Sequence, residues 1–334
     1  MTVPIRADAA AAASLAPSAE PAPELSFVIP ALDEEATIAE TIRRAHAAAR
    51  RLGLSCEVLV VDDGSTDGTL AAARALTAKH PVRVLRLSRN FGKEQAVMAG
   101  LHRARGAAVA VLDADLQEPL ECLGAMLARR AEGYEMVYAV RADRNGETRA
   151  KRWAARAFYG LLGLGSATPI PPDARDFRLM DRRVVDALCA LPERNRFMKG
   201  LYGWVGFRAL AVPIAMAPRG AGRSKFGWRR LSGLALTGLT AFSNWPLRVW
   251  TSVGFAIAAA SILYGLGIAL ETVLWGVDVP GWSTLAVGLF FLGGVQLVSV
   301  GVLGEYLARV FTEVKGRPGF IVAEEFGPEP APDP

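Results

Sequence analysis

Two runs without a charged side chain, Val249 to Leu270 and Val279 to Gly304, constrain this chain more than any other feature. Each is long enough to cross a hydrocarbon core of ~30 Å as a helix. Neither carries the polar stripe that a long helix of a water-soluble protein turns to solvent. The expectation is a transmembrane hairpin over residues 247–310, turned at Gly276-Val277-Asp278-Val279-Pro280-Gly281. Arg223, Lys225, Arg229, Arg230 and Arg248 precede it, Arg309, Lys315 and Arg317 follow it, and the turn carries only Asp278. By the positive-inside rule both termini are cytoplasmic and the turn faces out. Trp245, Trp250, Trp275 and Trp282 fall near the expected interfaces, as an aromatic belt would. An integral protein of a plasma or inner membrane is expected. The hairpin is too small for a transporter and would serve as an anchor, as a contact in a homo-oligomer, or as both.

The flanks fit this plan. Residues 226–246 interleave Trp228, Leu231, Leu234, Leu236, Leu239 and Phe242 with Arg229, Arg230, Ser232 and Thr240. That mixture suits an amphipathic helix lying in the headgroups, or an ordinary docking helix of the preceding domain. Residues 1–24 are Ala/Pro-rich and are expected to be disordered, because they cannot bury enough apolar surface to offset chain entropy. Asp8 and the prolines also interrupt any secretory signal. Residues 311–334 read as a cytoplasmic tail. The net charge of +5 suits phosphate-rich ligands or an anionic leaflet. No nucleic-acid motif is present, and nucleic acid is not an expected partner. Cys56, Cys122 and Cys189 show no metal spacing and read as reduced, buried thiols.

Residues 25–225 alternate short apolar runs with helical patterns. Strands are expected at Leu25–Ile29, Glu57–Val61, Val82–Leu87, Ala107–Leu112 and Met136–Val140. Helices are expected at Glu34–Leu52, Gly68–Lys79 and Lys93–Ala104. This order predicts an α/β fold with a mostly parallel sheet, whose ligands bind beyond the carboxyl ends of the strands. Polar residues stand there. The second strand runs into Asp62-Asp63-Gly64-Ser65, the fourth into Asp113-Ala114-Asp115-Leu116-Gln117. A single Asp would read as a helix cap or turn residue. Paired carboxylates at the ends of two strands of one sheet read as a site.

Dinucleotide and P-loop chemistry are excluded by pattern. No Gly-x-Gly-x-x-Gly follows the first strand, and Gly92-Lys93 is followed by Glu94 rather than Ser or Thr. Without such loops, a bound diphosphate needs a hard divalent cation held by carboxylates. Asp113 and Asp115 could both reach one ion, and Gln117 would extend the same face.

Val28-Ile29-Pro30-Ala31-Leu32-Asp33-Glu34-Glu35, Val61 to Asp67 and Asp113 to Gln117 together resemble the family-2 glycosyltransferases. Arg89-Asn90-Phe91-Gly92-Lys93, Asp176 to Arg182 and Glu193 to Gly200 narrow the resemblance. They match the branch of dolichol-phosphate mannose synthases and bacterial polyprenyl-phosphate glycosyltransferases. The hairpin looks like the bactoprenol glucosyltransferase subgroup. The resemblance spans about residues 25–320. It implies a Rossmann-like nucleotide-diphospho-sugar (glycosyltransferase-A) fold, Mg²⁺ or Mn²⁺, and inversion at the anomeric carbon. Pro30, Leu32, Glu34 and Asp63 would line the base and ribose pocket, and Asp62, Lys93 and Ala114 would belong to the same donor site. Asp113, Asp115 and Gln117 would hold the metal, and Asp176 would be the catalytic residue. Partners would be a nucleotide sugar, favouring UDP-glucose, and polyprenyl (undecaprenyl) phosphate. GDP-mannose, a UDP-N-acetyl sugar or an aminoarabinose donor stays open.

The chain departs from the pattern at Asp33, where the subgroup usually has Asn, and at Glu118, where it has Asp or His. At Arg175 a glycine is usual, and Arg175 would lower the pKa of Asp176 beside it. The nucleophile is a lipid phosphate, whose second pKa of about 6 leaves it mostly dianionic at neutral pH. It needs positioning more than deprotonation, so Asp176 is expected to be a helper and a cationic clamp the main requirement. Arg141, Arg144, Arg149, Lys151, Arg152 and Arg156 are candidates, as are Arg219, Arg223 and Lys225, with Arg141 and Arg223 favoured by resemblance. The alternative for these cations is a solvated basic face. A processive polysaccharide synthase would carry Gln-x-x-Arg-Trp, but Arg149 stands where the Gln belongs before Arg152-Trp153. A sugar nucleotidyltransferase would carry a Gly-rich loop after the first strand and need no hairpin. A non-catalytic scaffold would have no reason to keep Asp63, Asp113 and Asp115.

Overall fold

The computed structural model of the chain describes residues 22–78, 80–141, 174–194, 196–214, 245–275 and 281–328. The strands are β1 (Leu25–Ala31), β2 (Cys56–Asp62), β3 (Val82–Leu87), β4 (Ala108–Val111), β5 (Met136–Arg141), β6 (Ala174–Asp181), β7 (Ala209–Ile214) and β8 (Val322–Phe326). Around them pack α1 (Ile38–Arg51), α2 (Thr69–Arg74), α3 (Lys93–Arg103), α4 (Leu123–Ala131), α5 (Arg182–Ala190) and α6 (Met198–Trp204). The long helices α7 (Trp245–Trp275) and α8 (Trp282–Val314) precede β8.

The sheet runs β7-β5-β6-β4-β1-β2-β3-β8. Its centre, β4-β1-β2-β3, is parallel, as the alternation of strands and helices requires. The flanks are mixed: β6 is antiparallel to β4 and β5, β7 parallel to β5, and β8 antiparallel to β3. The expected parallel character therefore holds at the centre and gives way at both edges. Every residue of β1 is buried, because helices cover both faces of the central strands. Successive side chains alternate between two cores. Phe27 and Ile29 face Ile42 and Ala45 of α1 and Met126 of α4. Val28 faces Val97 and Leu101 of α3, Val185 of α5 and Leu201 of α6. A Cβ on Gly100 of α3 would fall 2.3 Å from a Val28 methyl, so this glycine lets α3 lie close on β1.

Helices α7 and α8 contain spans, Trp250–Trp275 and Phe291–Val314, long and apolar enough to cross a membrane. Phe255, Leu263, Leu285 and Leu289 stand open on their outsides, an apolar surface that water does not favour. The Trp250 indole donates to Ser299 Oγ at 2.5 Å, tying the pair.

Residues 322–326 are not a free tail. They close the sheet edge, with Leu85 opposite Glu325 and Arg86 opposite Glu324. Arg83, almost fully buried, pairs with Glu57 at 3.4 Å and Glu325 at 2.6 Å. The end of α8 is thereby fastened to the α/β domain. Most of the expected amphipathic segment, 226–244, and residues 1–21 lie outside the described residues.

Candidate active site

Three loops meet beyond the carboxyl ends of β1, β2 and β4. At the end of β2, Asp62 is buried and accepts from the Ser65 N–H at 3.2 Å. Its other oxygen has no partner among the described residues. Asp63 is also buried, accepting from the Phe91 N–H at 2.7 Å and the Gly92 N–H at 2.9 Å. Those bonds occupy both of its oxygens in bracing the loop that starts α3. Gly64 is required beside it: its φ is +75°, and a Cβ there would lie 2.7 Å from Asn90 N.

Within β1 Pro30 is buried, and in the loop that follows Leu32 and Glu34 are half-buried. Asp33 takes a left-handed φ of +54°, a region where Asp and Asn are both enriched. Its Oδ1 accepts from the Thr66 N–H at 2.9 Å, so an acceptor oxygen is what the position needs. Glu34 N–H donates to Thr69 Oγ1 at 2.7 Å, and Glu34 Oε2 accepts from the Thr37 hydroxyl at 3.0 Å. The loops after β1 and β2 are thus laced into one wall.

After β4 the chain turns sharply through Leu116, at φ +61°. Ala114 is buried, and its carbonyl accepts from the Thr41 hydroxyl at 3.0 Å. Asp115 Oδ1 accepts from the Gln117 N–H at 3.2 Å, and Glu118, buried, accepts from the Asp113 N–H at 3.0 Å. The centre of the site is Lys93, the first residue of α3. Its ammonium lies 2.6 Å from Asp113 Oδ1 and also meets Asp176 Oδ2 on β6. The lysine stem is open, but the ammonium is sunk between the carboxylates. Residues from α3, β4 and β6, far apart in sequence, are joined by one cation.

The electrostatics follow from this crowding. Burial raises Asp113, and the neighbouring Asp176 and Asp115 add to the rise while Lys93 opposes it. Burial and the Asp113 charge push Glu118 up to about 8, and burial with Asp176 pushes Glu94 up to about 7. Asp176 goes the other way: burial would raise it, but Lys93 and Lys199 outweigh burial and hold it down to about 2. The depression comes from those lysines rather than from Arg175, which the sequence suggested. Adjacent residues of a strand point to opposite faces. Arg178 supports the site from below, buried and stacked 3.5 Å over the Tyr202 ring.

Glu94, Glu118, Lys199 and Arg178 were not among the expected site residues. Glu118 was visible only as a departure from a pattern, and Lys199 lies in the Glu193–Gly200 motif. Arg141 ends β5, opposite Ile214 of β7. Arg144, Arg149, Lys151, Arg152, Arg156, Arg219, Arg223 and Lys225 lie outside the described residues. Among the described residues, no three His, Cys, Asp or Glu side chains converge as a ready metal site. The donor set nonetheless fits a hard divalent ion. Asp113, Asp115 and Gln117 offer oxygens in one turn, and Lys93 already stands there as a monovalent cation.

Carboxylates thus gather around one cation at the strand ends of a doubly covered α/β sheet, where ligands of such sheets bind. The chain belongs to glycosyl transferase family 2, whose family model matches residues 26–189. It is 44% identical over 310 residues to a glycosyltransferase of Synechocystis, covering 92% of this chain and 98% of that protein. It is 42% identical over 300 residues to the bactoprenol glucosyl transferase of Shigella phage SfII, covering 90% and 97%. A mannosyltransferase of Pyrobaculum calidifontis, solved with GDP-Man and Mn²⁺, aligns over 91% of this chain and 90% of its own, at 19% identity and TM-score 0.46. The protein is a glycosyltransferase.

Proposed function

We propose that the enzyme transfers glucose from UDP-glucose to polyprenyl phosphate, at the cytoplasmic face of a membrane that α7 and α8 cross. The observation that carries this reading is the Asp113–Lys93–Asp176 junction in a chain that continues into two apolar helices. The kinship with a bactoprenol glucosyl transferase supports the lipid acceptor and the sugar. Residues 25–225 form the catalytic domain, 226–246 the juxtamembrane segment and 247–310 the anchor, with β8 returning to the domain.

Asp113, Asp115 and Gln117 would hold Mg²⁺ or Mn²⁺, which when bound supplies charge neutralisation for the departing diphosphate. The wall laced from the β1 and β2 loops takes the nucleoside. An oxygen of the acceptor phosphate attacks the anomeric carbon from the face opposite the diphosphate. The glycosidic C–O bond breaks, and configuration inverts. A dianionic phosphate gives up no proton, so Asp176, ionised at neutral pH, orients rather than abstracts. Lys93 keeps Asp113 and Asp176 together and offers an N–H to the phosphates. Arg141, with the cations of 144–156 and 219–225, clamps the acceptor.

Purified enzyme, undecaprenyl phosphate and Mg²⁺ or Mn²⁺ should be offered labelled UDP-glucose, UDP-N-acetylglucosamine and GDP-mannose separately. Labelled lipid from UDP-glucose alone, lost with EDTA and in Asp115→Ala, is expected. Labelled lipid from another donor would overturn the sugar assignment, and none from any donor would overturn the reaction.

A further inference from the structure

A second basic feature lies between the α/β domain and the end of α8. A cleft of about 520 Å³ opens there, lined among others by Arg89, Phe91, Lys93, Phe311, Lys315 and Arg317. Its lining includes Lys93, the cation that joins Asp113 to Asp176. Its far wall is the last turn of α8 and the segment after it. Phe311 is 62% exposed there, and the apolar span ends at Val314. The cleft therefore runs from the edge of the apolar span to Lys93, whose ammonium touches Asp113 and Asp176.

Its cations differ from those around it. Outside it, Arg86 and Arg103 are paired with Glu324 and Glu325, and within its lining Arg194 is paired with Glu313. Among the described residues, Arg89, Lys315 and Arg317 form no ion pair. Arg89 lies over the Phe91 ring at 4.1 Å and Lys315 over Phe311 at 5.1 Å, so both are held by rings rather than by anions. The wall is also built. Arg194 Nε donates to the Arg317 carbonyl at 2.7 Å, Gln95 donates to the Arg194 carbonyl at 2.7 Å, and Gly319 packs against Gln95. Preformed, unpaired cations aimed into a cleft suit a phosphate.

We infer that this cleft is the route by which the acceptor's phosphate headgroup leaves the bilayer surface, captured by Arg317 and Lys315 and passed by Arg89 to Lys93. The inference rests on the proposed lipid-phosphate acceptor and names a capture site distinct from the Arg141 clamp. The headgroup climbs this wall while its apolar chain stays in the membrane beside α8. Phe311 at the mouth offers the first prenyl units an apolar contact.

The test uses the full chain in nanodiscs of zwitterionic lipid loaded with undecaprenyl phosphate, comparing wild type with the double variant Lys315→Gln, Arg317→Gln and with Arg89→Gln. Acceptor KM is expected to rise at least tenfold in the double variant and severalfold in Arg89→Gln, with donor KM moving less than twofold. An unchanged acceptor KM, or an equal rise in donor KM, would overturn the route. Discs with added phosphatidylglycerol, and inorganic phosphate as competitor, separate the sources. A defect seen only with phosphatidylglycerol would show that the cleft reads bulk membrane charge, and full competition by inorganic phosphate would show that it binds any phosphate; either overturns the inference. Should the double variant not fold, Arg89→Gln, anchored in the domain, decides alone. Should wild type transfer no sugar, the proposed reaction fails. Undecaprenyl phosphate binding read by native mass spectrometry, wild type against variant, then still decides the route.

Discussion

Lys93 concentrates the chemistry of the site in one ammonium. Without it, Asp113 and Asp176 face each other across a half-buried gap with no cation between them. Lys93→Met is expected to lower transfer about 100-fold or more, the scale of a lost electrostatic stabiliser. Steady-state assays with thermal melting as a fold control check this, and a loss below tenfold would refute it. Away from the site, His46 makes a separate pH prediction. It stacks on His80 at 5.0 Å, lies 3.4 Å from Cys56 Sγ and is held at about 4 by burial and then by the His80 charge. A histidine depressed in the folded state takes up its proton more readily when unfolded. Stability contributed by neutral His46 is thus complete above pH ~6.5 and declines as pH falls from there toward 4. His46→Leu is expected to flatten the loss of melting temperature over that window, and an unchanged slope would refute the assignment.

Among the elements, α3 and β8 carry the most consequence. Gly100→Ala would drive a methyl into Val28 and lift the helix that bears Lys93. Overpacking of this kind costs about 1–3 kcal/mol, measurable by chemical denaturation, with activity falling alongside. Glu325→Ala should cost about 1–3 kcal/mol, because Arg83 loses a partner deep under the sheet edge. A silent Glu325→Ala would mean that β8 is not fixed on β3. The central strands were legible as apolar runs, two of which, β2 and β4, lead into paired carboxylates. β8 was not, because Glu324 and Glu325 make an edge strand look like a charged tail, and its partner β3 lies far away in sequence. β6 was read as a motif rather than as a strand, since Arg175, Asp176, Arg178 and Asp181 break its apolar pattern. The Asp62–Asp63 and Asp113–Asp115 pairs stood out at strand ends. Their division of labour did not: spacing says nothing of Asp63 bracing the Phe91 loop, nor of Lys93 reaching across to Asp176.

At the scale of the molecule, the α/β domain and the helix pair are joined by a chain that leaves for α7 and returns through α8 into β8. The hairpin account expects a cysteine at Asp278→Cys, between the two helices, to react with a membrane-impermeant maleimide applied to intact cells. Cys56, Cys122 and Cys189 should stay protected until the cells are lysed. Labelling only after lysis would reverse the orientation or remove the spans. The central claim is that this site breaks a glycosidic bond and leaves both nucleotide phosphates on the departing group. The nucleotide released during transfer to undecaprenyl phosphate tests it most directly. Chromatography of a reaction with UDP-glucose is expected to show UDP in one-to-one ratio with glucosylated lipid. UMP in that ratio would mean attack at phosphorus and a lipid diphosphate product, and would contradict the account.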